Sequence, residues 1–193
     1  MNQKQHLWLN FLQGDKAALS EVFLLYHDDL YRYGLKLAGD ENLVKDAIQD
    51  LFLKLWKNRS NLKPVEVPKP YLFKSLRNHL IDSLELTKAR IPIENDFEHP
   101  FEIVYSAEDF VIHEQVTEDV KQQVIQALNK LMPRQREALY LRYFEELDFE
   151  TIASVMDINV QSVRNTLHRG ISALRELILI QPFFLLMGKL LPS

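Results

Sequence analysis

The chain has 193 residues, 47% of them hydrophobic and 26% charged, with no cysteine and a formal net charge of −4. That is enough chain for one large or two small domains, each with a modest core, and it excludes disulfides and thiolate metal sites, which suits a reducing cytosol. A bare DNA-binding domain is usually basic, so any nucleic-acid function requires the acid to be concentrated in one place.

Only five glycines and few β-branched runs point to an all-α chain. The N-terminus, MNQKQHLWLNFLQGD, has no long apolar core and no cleavage site, so no signal peptide is expected. Leu7, Phe11 and Leu12 predict a short first helix that stops at Gly14. A second helix presents Leu19, Val22, Phe23, Tyr26, Leu30, Tyr33 and Leu37 at threes and fours, most of them read as core, and ends at Gly39-Asp40.

The third helix, 42–58, buries Leu43, Val44, Ala47, Ile48, Leu51, Phe52 and Leu55. Its other side carries Lys45, Asp46, Gln49, Asp50, Lys54 and Lys57, interrupted by Leu53, with Trp56 at the edge. An apolar residue ringed by polar ones fits a partner-helix site; a solvated face with one stray leucine fits equally. Arg59 to Pro70 holds Pro64, Pro68 and Pro70 and reads as loop throughout.

YLFKSLRNHLIDSLELTKAR resumes the helical period, with Tyr71, Leu72, Leu76, Leu80 and Leu84 inward. Between Lys69 and Arg90 there are five basic residues and two acids, interleaved with Tyr71, Phe73 and His79. The pattern suits backbone contact with stacking on unpaired bases, and also an ordinary amphipathic helix of mixed charge. From Ile91 to Val120 there are nine acids and no Lys or Arg, so the negative charge resides here. The segment reads either as a solvated, self-repelling tether or as an acidic strand for a partner's nucleic-acid channel.

Val124, Ala127, Leu128 and Leu131 begin a second helical region, and Pro133 opens the next helix, 134–144. Asp148 then caps a helix holding Ile152, Ala153 and Met156, Asp157-Ile158-Asn159 breaks it, and Asn159 caps a last helix. In that helix Val160, Val163, Leu167, Ile171 and Leu174 form one apolar stripe. Its outward face holds Gln161, Ser162, Arg164, Asn165, His168 and Arg169, with no carboxylate among them. Such donors and mixed donor/acceptors read base edges and phosphates in a major groove, so the stretch is predicted to be a DNA-reading helix-turn-helix. The tail LILIQPFFLLMGKLLPS is oily but too short in its uninterrupted runs to span a bilayer; it either extends the last helix or forms a patch that another protein covers. The expected fold is therefore all-α, with two small helical domains (1–90 and 120–180) joined by an acidic linker, 91–119, and an apolar tail, 181–193. No metal spacing occurs among the six histidines, and no phosphate loop or titratable cluster indicates an enzyme, a cofactor or a small-molecule substrate.

Over nearly its whole length the chain resembles an extracytoplasmic-function (group IV) sigma factor of the sigma-70 family. The segment KDAIQDLFLKLW is similar to that family's polymerase-binding helix, and the resemblance implies that Asp46, Gln49, Asp50, Phe52, Leu53 and Trp56 face core RNA polymerase. YLFKSLRNHLIDSL is similar to the segment that melts the minus-ten promoter element. The resemblance implies an extruded base near Asn78, backbone contacts at Lys74 and Arg77, and minus-ten contacts at Tyr71 and His79. The helix-turn-helix then corresponds to the region that reads the minus-thirty-five element, through Gln161, Ser162, Arg164, Asn165, His168 and Arg169. Tyr71 stands where many members have Trp, His79 where small residues are common, Thr166 where many have Arg or Lys, and Gly170 where Ala is usual. The implied partners are core RNA polymerase, promoter DNA and an anti-sigma factor; the oily tail is similar to those of members paired with membrane-anchored ones. The implied location is the cytoplasm, and catalysis belongs to the polymerase. A stand-alone helix-turn-helix regulator would share the last helices but has no need of the Asp46–Trp56 face.

Overall fold

The computed structural model describes residues 3–65, 67–89 and 118–177. The acidic linker, apart from its last two residues, and the apolar tail lie outside them. The described chain is helical throughout: α1 (Gln3–Leu12), α2 (Lys16–Ala38), α3 (Glu41–Asn58), α4 (Pro68–Ala89), α5 (Glu118–Asn129), α6 (Pro133–Tyr143), α7 (Phe149–Met156) and α8 (Val160–Leu177). The all-α expectation is borne out. Two compact units are present, the first holding α1–α4 and the second α5, α6, α8 and most of α7.

The helix starts follow local side-chain chemistry. The carboxylate of Asp15 accepts the N–H of Ala17 (2.8 Å), and that of Asp40 accepts the N–H of Asn42 (2.8 Å). Asp148 accepts from Thr151 and Asn159 from Ser162, each at 2.7 Å. Every such cap satisfies an N–H with no intrahelical partner and contributes about 1 kcal/mol. Gly39 ends α2 at φ 68°, the left-handed conformation that a residue without Cβ adopts at least cost.

In the first unit α2 packs against α1, α3 and α4. Trp8, Val22, Leu30, Tyr33, Ile48, Leu55, Leu72, Phe73, Leu76 and Leu80 form its core. Each such side chain contributes about 1.5–3 kcal/mol on leaving water. Gly34, in the middle of α2, permits the close approach of α3: an added Cβ would stand 2.8 Å from Val44 Cγ1. Asp29 on α2 pairs with Arg32 and with Lys69 of α4, at 2.6 and 3.3 Å.

Two sequence expectations are corrected here. The stretch 59–70 is not loop throughout. Arg59–Asn61 is a 3-10 turn, and α4 begins at Pro68. Both Pro68 and Pro70 fall in the first turn of α4, where the missing N–H would have had no intrahelical acceptor. Phe73, read as a base-stacking aromatic, is fully buried, with its ring 5.0 Å from that of Tyr33. It belongs to the core.

In the second unit α6 and α8 pack together, and Gly170 of α8 sits where a Cβ would lie 3.2 Å from Leu139 Cδ1. Tyr140, also buried, donates its hydroxyl to the buried Glu145 carboxylate at 2.7 Å. That bond gives the enclosed carboxyl oxygen a partner, and an unpaired one would be costly to bury.

Candidate functional site

Three exposed faces carry the residues singled out in the sequence, two on the first unit and one on the second.

The first is α3. Successive helical residues are rotated by about 100°, which places Asp46, Gln49, Asp50, Leu53 and Trp56 on one arc about 120° wide. Leu53 is 58% exposed, large for an aliphatic side chain on a helix whose other leucines are mostly inside. Gln49, Phe52, Leu53 and Trp56 line an open groove of about 660 Å³ between α2 and α3. Phe52 is its floor, 7% exposed and in edge-to-face contact with Phe23 of α2 at 5.0 Å. Asp46 and Asp50 are exposed on the same arc outside the lining. Lys16, His27 and Lys45 supply a basic rim. Lys45 is bound to Glu41 at 2.9 Å, and this pairing raises the lysine pKa and lowers that of the carboxyl. Arg59 stacks on the Trp56 ring at 4.2 Å and donates to the Trp56 carbonyl at 2.7 Å, which holds the indole at the groove edge.

Sequence periodicity put Phe23 and Leu19 on a stripe read mostly as core, yet both open onto this groove. Phe23 continues into a row with His27 and Tyr31, at 4.9 and 6.1 Å between successive rings. The i, i+4, i+8 spacing of three aromatic rings was the available signal. Arg59 left no signal, because its stacking depends on where the 3-10 turn leads the chain.

The second face is on α4. Tyr71, Lys74, Arg77 and Asn78 share one arc of about 120°. Tyr71 is 38% exposed, with its ring edge on Trp8 at 6.2 Å, and Asn78 is exposed. His79 lies off that arc and turns to α3, where Lys54 Nζ is 3.2 Å from Nδ1 and Asp50 Oδ2 is 3.7 Å from Nε2.

The third face is on the second unit. α7, a turn in which Asp157 takes φ 55°, and α8 form the helix-turn-helix, and the N–H of Ile158 closes the turn onto the Ala153 carbonyl at 3.0 Å. Val163, Leu167, Gly170 and Leu174 are buried; Gln161, Arg164, Asn165, His168 and Arg169 are exposed, and Ser162 is half-buried beside them. Gln161 donates to Asn165 at 3.1 Å. The guanidiniums of Arg142 and Arg164 lie 5.1 and 5.5 Å from the Phe149 ring, and Arg142 also donates to the Leu147 carbonyl at 2.9 Å. Arg142 thus stands beside the outward face, although helical periodicity within α6 gave no reason to connect it with α8.

Among the described residues no group of three or more His, Asp or Glu side chains is placed to hold a metal ion, and no helix is long and apolar enough to cross a membrane.

Comparison with known proteins matches the two units separately. Residues 22–90 match the family model "Sigma-70 region 2", and residues 121–174 match "Sigma-70, region 4". The chain is 26% identical over 159 residues to the ECF RNA polymerase sigma factor SigM of Bacillus subtilis, covering 82% of this chain and 94% of SigM. It is 23% identical over 173 residues to SigW of the same organism, covering 85% and 90%. Two solved structures share the fold. CnrH, in complex with the cytosolic domain of CnrY, has a TM-score of 0.61 at 18% identity, with 91% of this chain and 97% of that one covered. RpoE of Bartonella quintana, in complex with the anti-sigma factor NepR, has a TM-score of 0.59 at 21% identity, covering 84% and 97%. A region 2 unit followed by a region 4 unit, matched along nearly the full length of single-chain relatives, places this chain in the sigma-70 family as an RNA polymerase sigma factor of the extracytoplasmic-function type.

Proposed function

We propose that the chain works as a detachable specificity subunit, in which α3 docks on core RNA polymerase, α4 captures the opened minus-ten strand and α8 reads the minus-thirty-five element. The observation that carries this reading is the exposed Leu53–Trp56 arc beside an apolar groove, on the same chain as a helix-turn-helix. A regulator that finds DNA unaided has no use for the first.

On the polymerase side, Leu53 and Trp56 supply the apolar centre of the contact, and Asp46, Gln49 and Asp50 supply its polar rim. On the upstream DNA, Arg164 and Arg169 take phosphates or guanine edges, while Gln161, Ser162, Asn165 and His168 take bases or adjacent phosphates. At the minus-ten element the unpaired base lies beside Asn78, with Tyr71 available for stacking and Lys74 and Arg77 on the backbone. Strand separation costs a few kcal/mol per step, so these contacts act on a duplex that polymerase helps to open. The chain itself holds no catalytic group in this reading; bond formation belongs to the polymerase, and the working location is the cytoplasm.

The anti-sigma factor NepR in the RpoE complex supports a similar partner here, one that holds the subunit away from polymerase. Three arginines in α8 (Arg164, Arg169 and Arg175) neutralise few phosphates, so DNA affinity without polymerase is weak at physiological salt.

The test is transcription from genomic fragments by purified core polymerase with and without the chain. Promoter-specific transcripts that require the chain support the proposal. Nanomolar, sequence-specific DNA binding by the chain alone, with no stimulation of polymerase, overturns it in favour of a stand-alone regulator.

A further inference from the structure

The imidazole of His79 does not share the face of its neighbours. With about 100° between residues, His79 falls about 80° beyond the edge of the Tyr71–Lys74–Arg77–Asn78 arc, on the side of buried Leu72. Its side chain is 28% exposed and is held between two groups of α3 that are one helical turn apart. An ammonium group offers only donors, so Lys54 donates to Nδ1 at 3.2 Å. On the other side of the ring, Nε2 lies 3.7 Å from the Asp50 carboxylate, beyond hydrogen-bond length. Lys54 and Asp50 thus bracket the ring and link α4 to α3 across their exposed margin. Asp50 lies on the arc assigned to polymerase, and Asn78, next to His79, lies on the arc assigned to the unpaired strand.

We infer that His79 is a positioning residue that couples polymerase docking on α3 to capture of the unpaired base beside Asn78, and is not itself a base contact. The inference rests on the proposed sigma function. A basic group of polymerase that approaches Asp50 draws the carboxylate away from Nε2 and changes what holds the ring. The start of the base-binding arc, one residue away, is then held differently in the free and docked states. Coupling of this kind is reciprocal: the factor by which docking alters strand capture is the factor by which the captured strand alters docking.

The experiment compares wild type, His79→Ala, His79→Gln, Asp50→Asn and the double variant Asp50→Asn/His79→Ala, each assembled with core polymerase. Two quantities are measured: affinity for core, and the rate of promoter opening read by permanganate oxidation of unpaired thymines. His79→Ala is expected to leave core affinity within about twofold and to slow opening about fivefold, the size of one partly exposed polar coupling. His79→Gln, whose amide can accept from Lys54 and donate towards Asp50, restores most of the rate. With Asp50→Asn already present, His79→Ala costs less than about twofold more. Failure of Gln to restore the rate, or the same loss in both backgrounds, overturns the inference in favour of a direct base contact. Loss of core affinity in His79→Ala overturns it in favour of a docking residue. A wild-type chain that neither binds core nor opens a promoter removes the sigma reading itself, an outcome distinct from a failed rescue.

Discussion

Gly34 of α2 and Val44 of α3 meet so closely that the glycine hydrogen occupies space no methyl could share: a Cβ there would stand 2.8 Å from Val44 Cγ1 and 3.4 Å from Leu80 Cδ1. Val44 is fully buried and branched at Cβ, so it has no free rotamer to retreat into. Alanine ordinarily stabilises a helix interior by about 1 kcal/mol over glycine, whereas forcing a methyl into a filled core costs about 1–3 kcal/mol. Overpacking outweighs propensity, and Gly34→Ala is expected to destabilise the first unit. Both tryptophans, Trp8 and Trp56, lie in that unit, so urea unfolding followed by tryptophan fluorescence reads it alone. Pairing Gly34→Ala with Val44→Ala should recover part of the loss.

Leu53 and Phe52 are neighbours in sequence with opposite expected phenotypes. Leu53 is exposed, so Leu53→Asp should leave the unfolding transition within about 0.5 kcal/mol of wild type. Placed at the apolar centre of the docking face, the same change should weaken core polymerase binding by more than about tenfold. Phe52→Ala removes the floor of the groove and the contact with Phe23, and should destabilise the fold by about 3 kcal/mol. Co-purification with core polymerase and thermal unfolding separate the two outcomes.

Phe149 carries Arg142 and Arg164 on its ring. Stacking on an aromatic face limits the freedom of a guanidinium before it meets DNA, at about 0.5–1 kcal/mol per exposed contact. Phe149→Leu keeps an apolar residue at the start of α7 and removes the ring. Holoenzyme carrying it should bind a minus-thirty-five duplex about three- to fivefold more weakly, with little change in salt dependence because no charge is lost. Arg142→Ala should instead reduce the slope of affinity against salt.

Asp148 caps α7, and the hydrogen bonds from Thr151, reinforced by the charge of Arg142, hold its carboxyl below the usual carboxylate range. A carboxyl whose folded-state pKa is depressed contributes stability above its unfolded value of about 3.9 and loses it as pH falls towards the folded value. The second unit should therefore lose this contribution below about pH 4. Asp148→Ala should cost about 1 kcal/mol at neutral pH and flatten the acid limb of the stability profile, measured by helix circular dichroism. An unchanged acid limb would remove Asp148 from the account.

What was legible in the chain is what a helix decides within a turn or two of itself. The caps at Asp15, Asp40, Asp148 and Asn159 need only the N–H groups two or three residues on. The buried stripe and polar arc of α8 follow from a period of 3.6 residues, and so does the exposure of Leu53 on α3. The boundary at Pro68 was missed because proline stops a helix from within yet fits its first turn.

Contacts between helices could not be read in the same way. Phe73, read as a stacking aromatic, is sealed because Tyr33 of α2 packs on it, and Tyr71, read as inward, is partly exposed. Phe23 leaves the core for a groove only because α3 supplies Phe52 beside it. His79 binds α3 instead of sharing the face of Asn78, and Arg142 reaches the ring of Phe149. Sequence by itself determined the elements, their caps and the chemistry of each outward face, because those depend on rotation per residue and on nearby backbone donors. Only the tertiary structure decided which faces join into a groove or a bridge, because that depends on the packing of side chains far apart along the chain.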